Sequence, residues 1–170
     1  MFLAIQASVE QQSQPWGVNS DIRSEGGTMV TRATDDLIMA MLGSPAAAGL
    51  ARTMAAHRLR KWGCSHINDD AALIIAELVA NAAEATPNKK IRFQLSRDAH
   101  GIVIAVWDSS PAVPVARPVV ELTLEDLDIS EESFDRNGGW GLPIVETLAN
   151  SCGYTPDPSG GKWIWARLVP

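Results

Sequence analysis

The apolar periodicity of this chain changes at Pro87, and that change limits the fold more than any other feature. Upstream, INDDAALIIAELVANAAEATP carries Ala, Leu, Ile and Val at helical spacing, beginning with Asn68 or Asp69 as cap and stopping before a proline that cannot continue a helix. Downstream, KKIRFQLSRDAHGIVIAVWD switches to period two. Ile91, Phe93 and Leu95 alternate with polar residues, DAHG turns the chain, and residues 102–107 form a wholly apolar second strand. A helix so rich in apolar residues must lie on another element, and the hairpin needs at least one face covered.

The flanking segments supply the rest of two layers. LIMAML reads as a short strand over residues 37–42; Ser44 then caps a helix with Pro45 at its first position, running to Gly63 as the stop. After the hairpin, SSPAVPVARP leads into the acidic segment ELTLEDLDISEESFD, which has the character of a lid rather than of a core element. NGGWGLPIVETL reads as a glycine loop opening a helix near Leu142, and GGKWIWARL as a final strand after a turn. The expected architecture is α/β of the α+β kind: a two-layer sandwich with a mixed, mostly antiparallel sheet covered on one face by helices. Residues 1–35, rich in Gln, Ser, Gly and Thr without a sustained period, are expected to be a flexible tail, leaving 36–170 as one domain.

Bulk properties exclude several function classes. A formal net charge of -6 forgoes the electrostatic attraction on which nucleic-acid binding depends, so no nucleic-acid partner is expected. The short basic run RLRKW reads as a solvated helix face. No stretch has the length of a membrane span, and the start of the chain lacks the basic and apolar regions of a signal peptide. A cytoplasmic protein with reduced thiols at Cys64 and Cys152 is expected, without a zinc site, because neither has a second ligand at metal spacing.

Three features carry chemistry. On the 68–85 helix, Glu77, Asn81 and Glu84 follow one another at spacings of four and three and so form one polar stripe. Taken alone, such a stripe more often faces water. It also offers a carboxylate and an amide oxygen of the kind that holds Mg²⁺ beside phosphates, or a carboxylate base. The second feature is Asp108, directly after the apolar strand, where a carboxylate can read an exocyclic amine or simply end the strand in a turn. The third is the loop with Gly138, Gly139 and Gly141, which lets backbone approach a ligand, while the helix start at Leu142 presents free N–H groups to an anion. It lacks the Gly-Lys-Ser/Thr of a P-loop and does not follow the first strand as a dinucleotide fingerprint would.

In this order, ELVANAAEA resembles the N box, VIAVWD with the SSPAVP after it the G1 box, and GGWGLPIVETLA the G2 box of the GHKL ATPase superfamily of histidine kinase-like ATPase domains. Within it the chain is similar to small stand-alone bacterial regulators of the anti-sigma-factor serine/threonine kinase type, whose final strand resembles GGKWIWARL. The resemblance implies the GHKL fold, with ATP and Mg²⁺ as cofactors. It implies Glu77 as catalytic base and Asn81 as the metal ligand. Asp108 would read adenine, Gly139, Gly141 and Leu142 would line the phosphates, and residues 119–135 would form the lid. The implied partners are an anti-sigma antagonist-like protein, a sigma factor, or both, and a homodimer is compatible with it. The sequence has no phosphoacceptor His motif and no dimerising helical hairpin, so a complete sensor histidine kinase is not expected. Two departures keep an alternative open, a nucleotide-free interaction module with a degenerate pocket. Asp-Ser-Ser-Pro stands in place of Asp-x-Gly-x-Gly, and Trp163 stands where family members often carry Thr.

Overall fold

The structure, a computed structural model, describes residues 35–112 and 141–170. Strand β1 (Leu37–Leu42) leads into helix α1 (Pro45–Lys61), and a short 3-10 turn (Ser65–Ile67) leads into α2 (Asn68–Ala85). The hairpin follows as β2 (Lys90–Asp98) and β3 (Gly101–Asp108). Helix α3 (Gly141–Leu148), β4 (Ser151–Pro156) and β5 (Lys162–Leu168) complete the described chain. The strands form one sheet in the order β1-β2-β3-β5-β4, and every pairing among the described residues is antiparallel, so the mixed character expected from sequence is absent there. Helix α2 packs on the central strand β3 with α1 and α3 as its neighbours, giving the two layers.

Local chemistry explains the boundaries. Ser44 has the extended backbone of an N-cap and Pro45 follows at the first helical position, although the Ser44 side chain makes no capping hydrogen bond. Asn68, expected as the cap of α2, is instead its first residue: the chain enters from the 3-10 turn, and the Asn68 N–H is already satisfied by the Ser65 carbonyl. At the far end the Thr86 N–H and hydroxyl both donate to the Ala82 carbonyl just before Pro87. Asp35, placed by sequence at the end of the tail, accepts hydrogen bonds from Trp62 Nε1 at 2.9 Å and from Arg58.

The core lies between the layers. Ala47, Ala51, Ala55 and Leu59 form an i, i+4 ridge on α1, narrow enough to let it approach α2 closely. From α2 come Ala71, Ile74, Ile75, Leu78, Val79 and Ala82. Beneath them the sheet contributes Ile91, Phe93, Leu95, Ile102, Ile104, Val106, Ile164, Ala166 and Leu168. Because strand side chains alternate, the intervening residues face the other way, where Val103, Ala105 and Trp163 form a second cluster with Trp107 and Trp165. Arg92 lies over the Trp107 ring at 4.5 Å. Trp163 and Trp165 thus share one face in packing, as their spacing predicts. Strand β4 is the element that sequence reading did not anticipate: SCGYTP has no apolar alternation, and its place at the sheet edge comes from pairing with β5.

Candidate functional site

Asp108 is the last residue of β3 and sits in register opposite Lys162, the first residue of β5. The alternation that sends Ile104 and Val106 toward the helices sends Asp108 the same way, and Lys162 shares the inward set with Ile164 and Ala166. The pair is deeply buried, with Asp108 1% and Lys162 4% exposed. Lys162 Nζ donates to Asp108 Oδ1 at 2.9 Å and to the Ser110 carbonyl at 3.2 Å. The Ser110 N–H donates to the same Oδ1 at 2.8 Å, closing a turn at the strand end. Oδ2 is buried and has no partner among the described residues. A carboxylate with one saturated oxygen and one orphaned, desolvated acceptor is costly unless a donor arrives, so its chemistry fits recognition of an amine.

Two glycines make possible this corner and the close approach of α3 to α2. Gly161 has φ +81°, and a Cβ there would collide with the Asp108 carbonyl, so the turn before β5 can bring Lys162 up to Asp108 only without a side chain. At Gly141, the first residue of α3, a Cβ would collide with the Glu77 carboxylate. Glu77 therefore lies against the start of α3, where free N–H groups favour negative charge. Burial nevertheless raises its carboxyl above the ordinary Glu value, with the neighbouring Glu84 charge adding to the effect. One turn along α2, the Asn81 Nδ2 is buried without an acceptor among the described residues.

The structure thus brings Glu77 and Gly141 together, with Asn81 one turn further along α2. Leu142 is buried in the first turn of α3. Gly139 and the lid segment 119–135 lie outside the described residues. Glu84, at the far end of the stripe, is exposed and lines a mainly apolar cleft of about 440 Å³ with Gly43, Pro45, Ala80 and Ala83. Trp163 needs correction, because it points to the opposite face of the sheet, donating from Nε1 to Asp157 Oδ2 at 3.1 Å, and does not face Asp108. The residue that does is Lys162, which sequence reading missed. Its signal is present in the chain: KWIWARL places Lys on the same alternating set as Ile164, Ala166 and Leu168, and a Lys on an inward set requires a partner.

The donor set fits a nucleotide with Mg²⁺. Asp108 Oδ2 and Asn81 Nδ2 are an acceptor and a donor awaiting partners, and the Asn81 amide oxygen is of the type Mg²⁺ takes. Among the described residues no three His, Cys, Asp or Glu side chains form a metal cluster, so a cation here would depend on phosphate and water for most of its ligands. No helix among the described residues is long and apolar enough to cross a membrane.

No curated protein matches the chain. A profile of the histidine kinase-like ATPase domain matches residues 43–168, from the corner before α1 to the end of β5, and supports an ATP-binding regulatory function. The five-stranded sheet, its helical layer and this match over most of the chain agree: the protein belongs to the histidine kinase-like ATPase domain family.

Proposed function

We propose that the protein is an ATP-dependent serine/threonine kinase of the anti-sigma-factor type, acting on a regulatory protein partner such as an anti-sigma antagonist-like protein. The observation that carries the nucleotide half of this reading is the buried, unpartnered Asp108 Oδ2, a lone acceptor suited to an adenine amine. Mg-ATP, when bound, supplies the phosphoryl group and a neutralising cation. The chain's own residues then bind and position it. Asn81 would hold Mg²⁺, its amide oxygen being a suitable ligand, and its Nδ2 would suit a phosphate oxygen. Gly141 and the first turn of α3 at Leu142, together with Gly139, would give the phosphates backbone room and N–H groups. Glu77 takes the proton released by a partner's hydroxyl, and the upward shift that burial gives its carboxyl brings it closer to the range a base needs near neutral pH. Catalysis of this kind is mostly positioning and charge stabilisation.

The test is thermal unfolding with and without saturating Mg-ATP on the wild type and Asn81→Ala, followed by transfer of labelled phosphate to candidate partners. Ligand at about 100 times its dissociation constant stabilises by roughly 2.7 kcal/mol. A rise of several degrees that Asn81→Ala abolishes is expected. No rise at millimolar Mg-ATP would instead make the protein a nucleotide-free interaction module, and a rise without transfer to any partner would make it a nucleotide-binding switch.

A further inference from the structure

The Lys162–Asp108 pair has no counterpart in the roles given above to Glu77, Asn81 and the glycines, and nothing in phosphate binding calls for it. A buried ion pair seldom adds net stability, because two desolvated charges regain little more than they lose. A buried lysine at a strand start, on the inward set of an otherwise apolar strand, therefore calls for another reason.

The hydrogen bonds supply one. Lys162 Nζ and the Ser110 N–H both converge on Asp108 Oδ1, at 2.9 and 2.8 Å, and the second contact of Lys162, to the Ser110 carbonyl at 3.2 Å, ties the ammonium to the same turn. This arrangement fixes the carboxylate plane through one oxygen and leaves the other, buried, as the sole acceptor it presents. The other turn at this corner, which leads from β4 into β5, is held in its own right: Trp107 Nε1 donates to the Gly160 carbonyl at 3.2 Å, and the Asp157 N–H to the Gly161 carbonyl at 3.0 Å. Lys162 also supplies the positive charge that Asp108 needs when no ligand is present, so the group drawn to Oδ2 is a neutral donor and not a second cation.

We propose that Lys162 is a positioning residue for nucleobase selection: by saturating Oδ1 it aims Oδ2 at the base edge, favouring an amino group and disfavouring a carbonyl there. The proposal rests on the ATP-site reading above. Discrimination between purines then originates in a lysine that need not touch the base. An adenine amine satisfies the lone acceptor, while the guanine carbonyl places acceptor against acceptor in a desolvated corner. Sites that present a single buried hydrogen-bonding group discriminate strongly for this reason.

The experiment is calorimetric titration with Mg-ATP and Mg-GTP of the full chain as wild type, Lys162→Met, Lys162→Gln and Lys162→Arg. The wild type is expected to prefer ATP. Lys162→Met is expected to weaken ATP at least about tenfold, the scale of one charge-assisted hydrogen bond misdirected, with little change for GTP, so that the ATP/GTP ratio collapses. Lys162→Gln, which keeps a donor, is expected to lie between, and Lys162→Arg to recover most of the preference. A purely structural role would weaken both nucleotides together. If Lys162→Met does not fold, Lys162→Gln gives the same reading. A folded Met or Gln variant with the wild-type ratio overturns the positioning role while leaving the site reading intact. A wild type that binds neither nucleotide at millimolar concentration overturns both.

Discussion

The two carboxylates of the site, Asp108 and Glu77, are held in opposite ways. Asp108 is fixed by β-sheet register: it faces a lysine across two paired strands, accepts a backbone N–H from its own turn, and is 1% exposed. Glu77 is fixed by helix packing: it lies against the start of α3, has an acidic neighbour in Glu84, and is only partly buried. One is neutralised before any ligand arrives; the other carries an upward-shifted carboxyl. Recognition requires a fixed group, whereas proton transfer requires one whose protonation states are close in energy.

The most severe way to break this contrast is Asp108→Ala, which strands the Lys162 charge in the core. A loss of about 3 to 5 kcal/mol is expected, as for other buried pairs deprived of one partner, or roughly 6 to 20 °C in midpoint at this chain length; calorimetry checks it. At Glu77 the corresponding perturbation is Gly141→Ala, whose methyl group meets the movable end of the Glu77 side chain instead of backbone. Stability should change by less than about 1 kcal/mol, while the rise in unfolding midpoint with saturating Mg-ATP should shrink. A Gly141→Ala protein that has lost the fold as well would show that the two corners are equally rigid.

The smallest effect separates them by pH. Because burial raises the Glu77 carboxyl in the folded state, the folded protein holds that proton more tightly than the unfolded chain. Its contribution to stability is therefore complete below the ordinary Glu range and is lost as pH rises through the folded value. Glu77→Gln removes this dependence, so denaturant titrations should find the variant no less stable than wild type at neutral pH, with a relative gain of at most about 1 kcal/mol that disappears toward acid pH. A wild type whose stability advantage over Glu77→Gln grows with rising pH would reverse the sign and remove Glu77 as a poised base.

The legible parts of this fold are those in which a single segment carries its own pattern. LIMAML, the SPAAAG helix start and the IRFQL to IVIAVW hairpin each announce their type, and the structure places them where their periods and punctuation indicate. The helix carrying Glu77 and Asn81 is equally plain. Obscured are the features that depend on pairing across the sheet. SCGYTP becomes a strand only because β5 offers it an edge, and Lys162 becomes a site residue only because register sets it opposite Asp108. The place of Trp163 after Gly-Lys points to the nucleotide pocket; the period-two alternation of the strand sends it to the other face. Glu84 stays on the stripe, near enough for its charge to act on Glu77, but lies in the last turn of α2, where it is exposed beside the cleft that α1 borders.

The alternation of β5 has an optical consequence. Lys162 and Trp163 are adjacent in the chain but face opposite sides of the sheet, so the indole shares a backbone with the buried lysine while lying on the other face. A ligand that shifts Lys162 is expected to shift an aromatic ring on the other side of the sheet as well. The cluster of Trp107, Trp163 and Trp165 therefore offers an intrinsic fluorescence signal with which to look for binding at the Asp108–Lys162 corner.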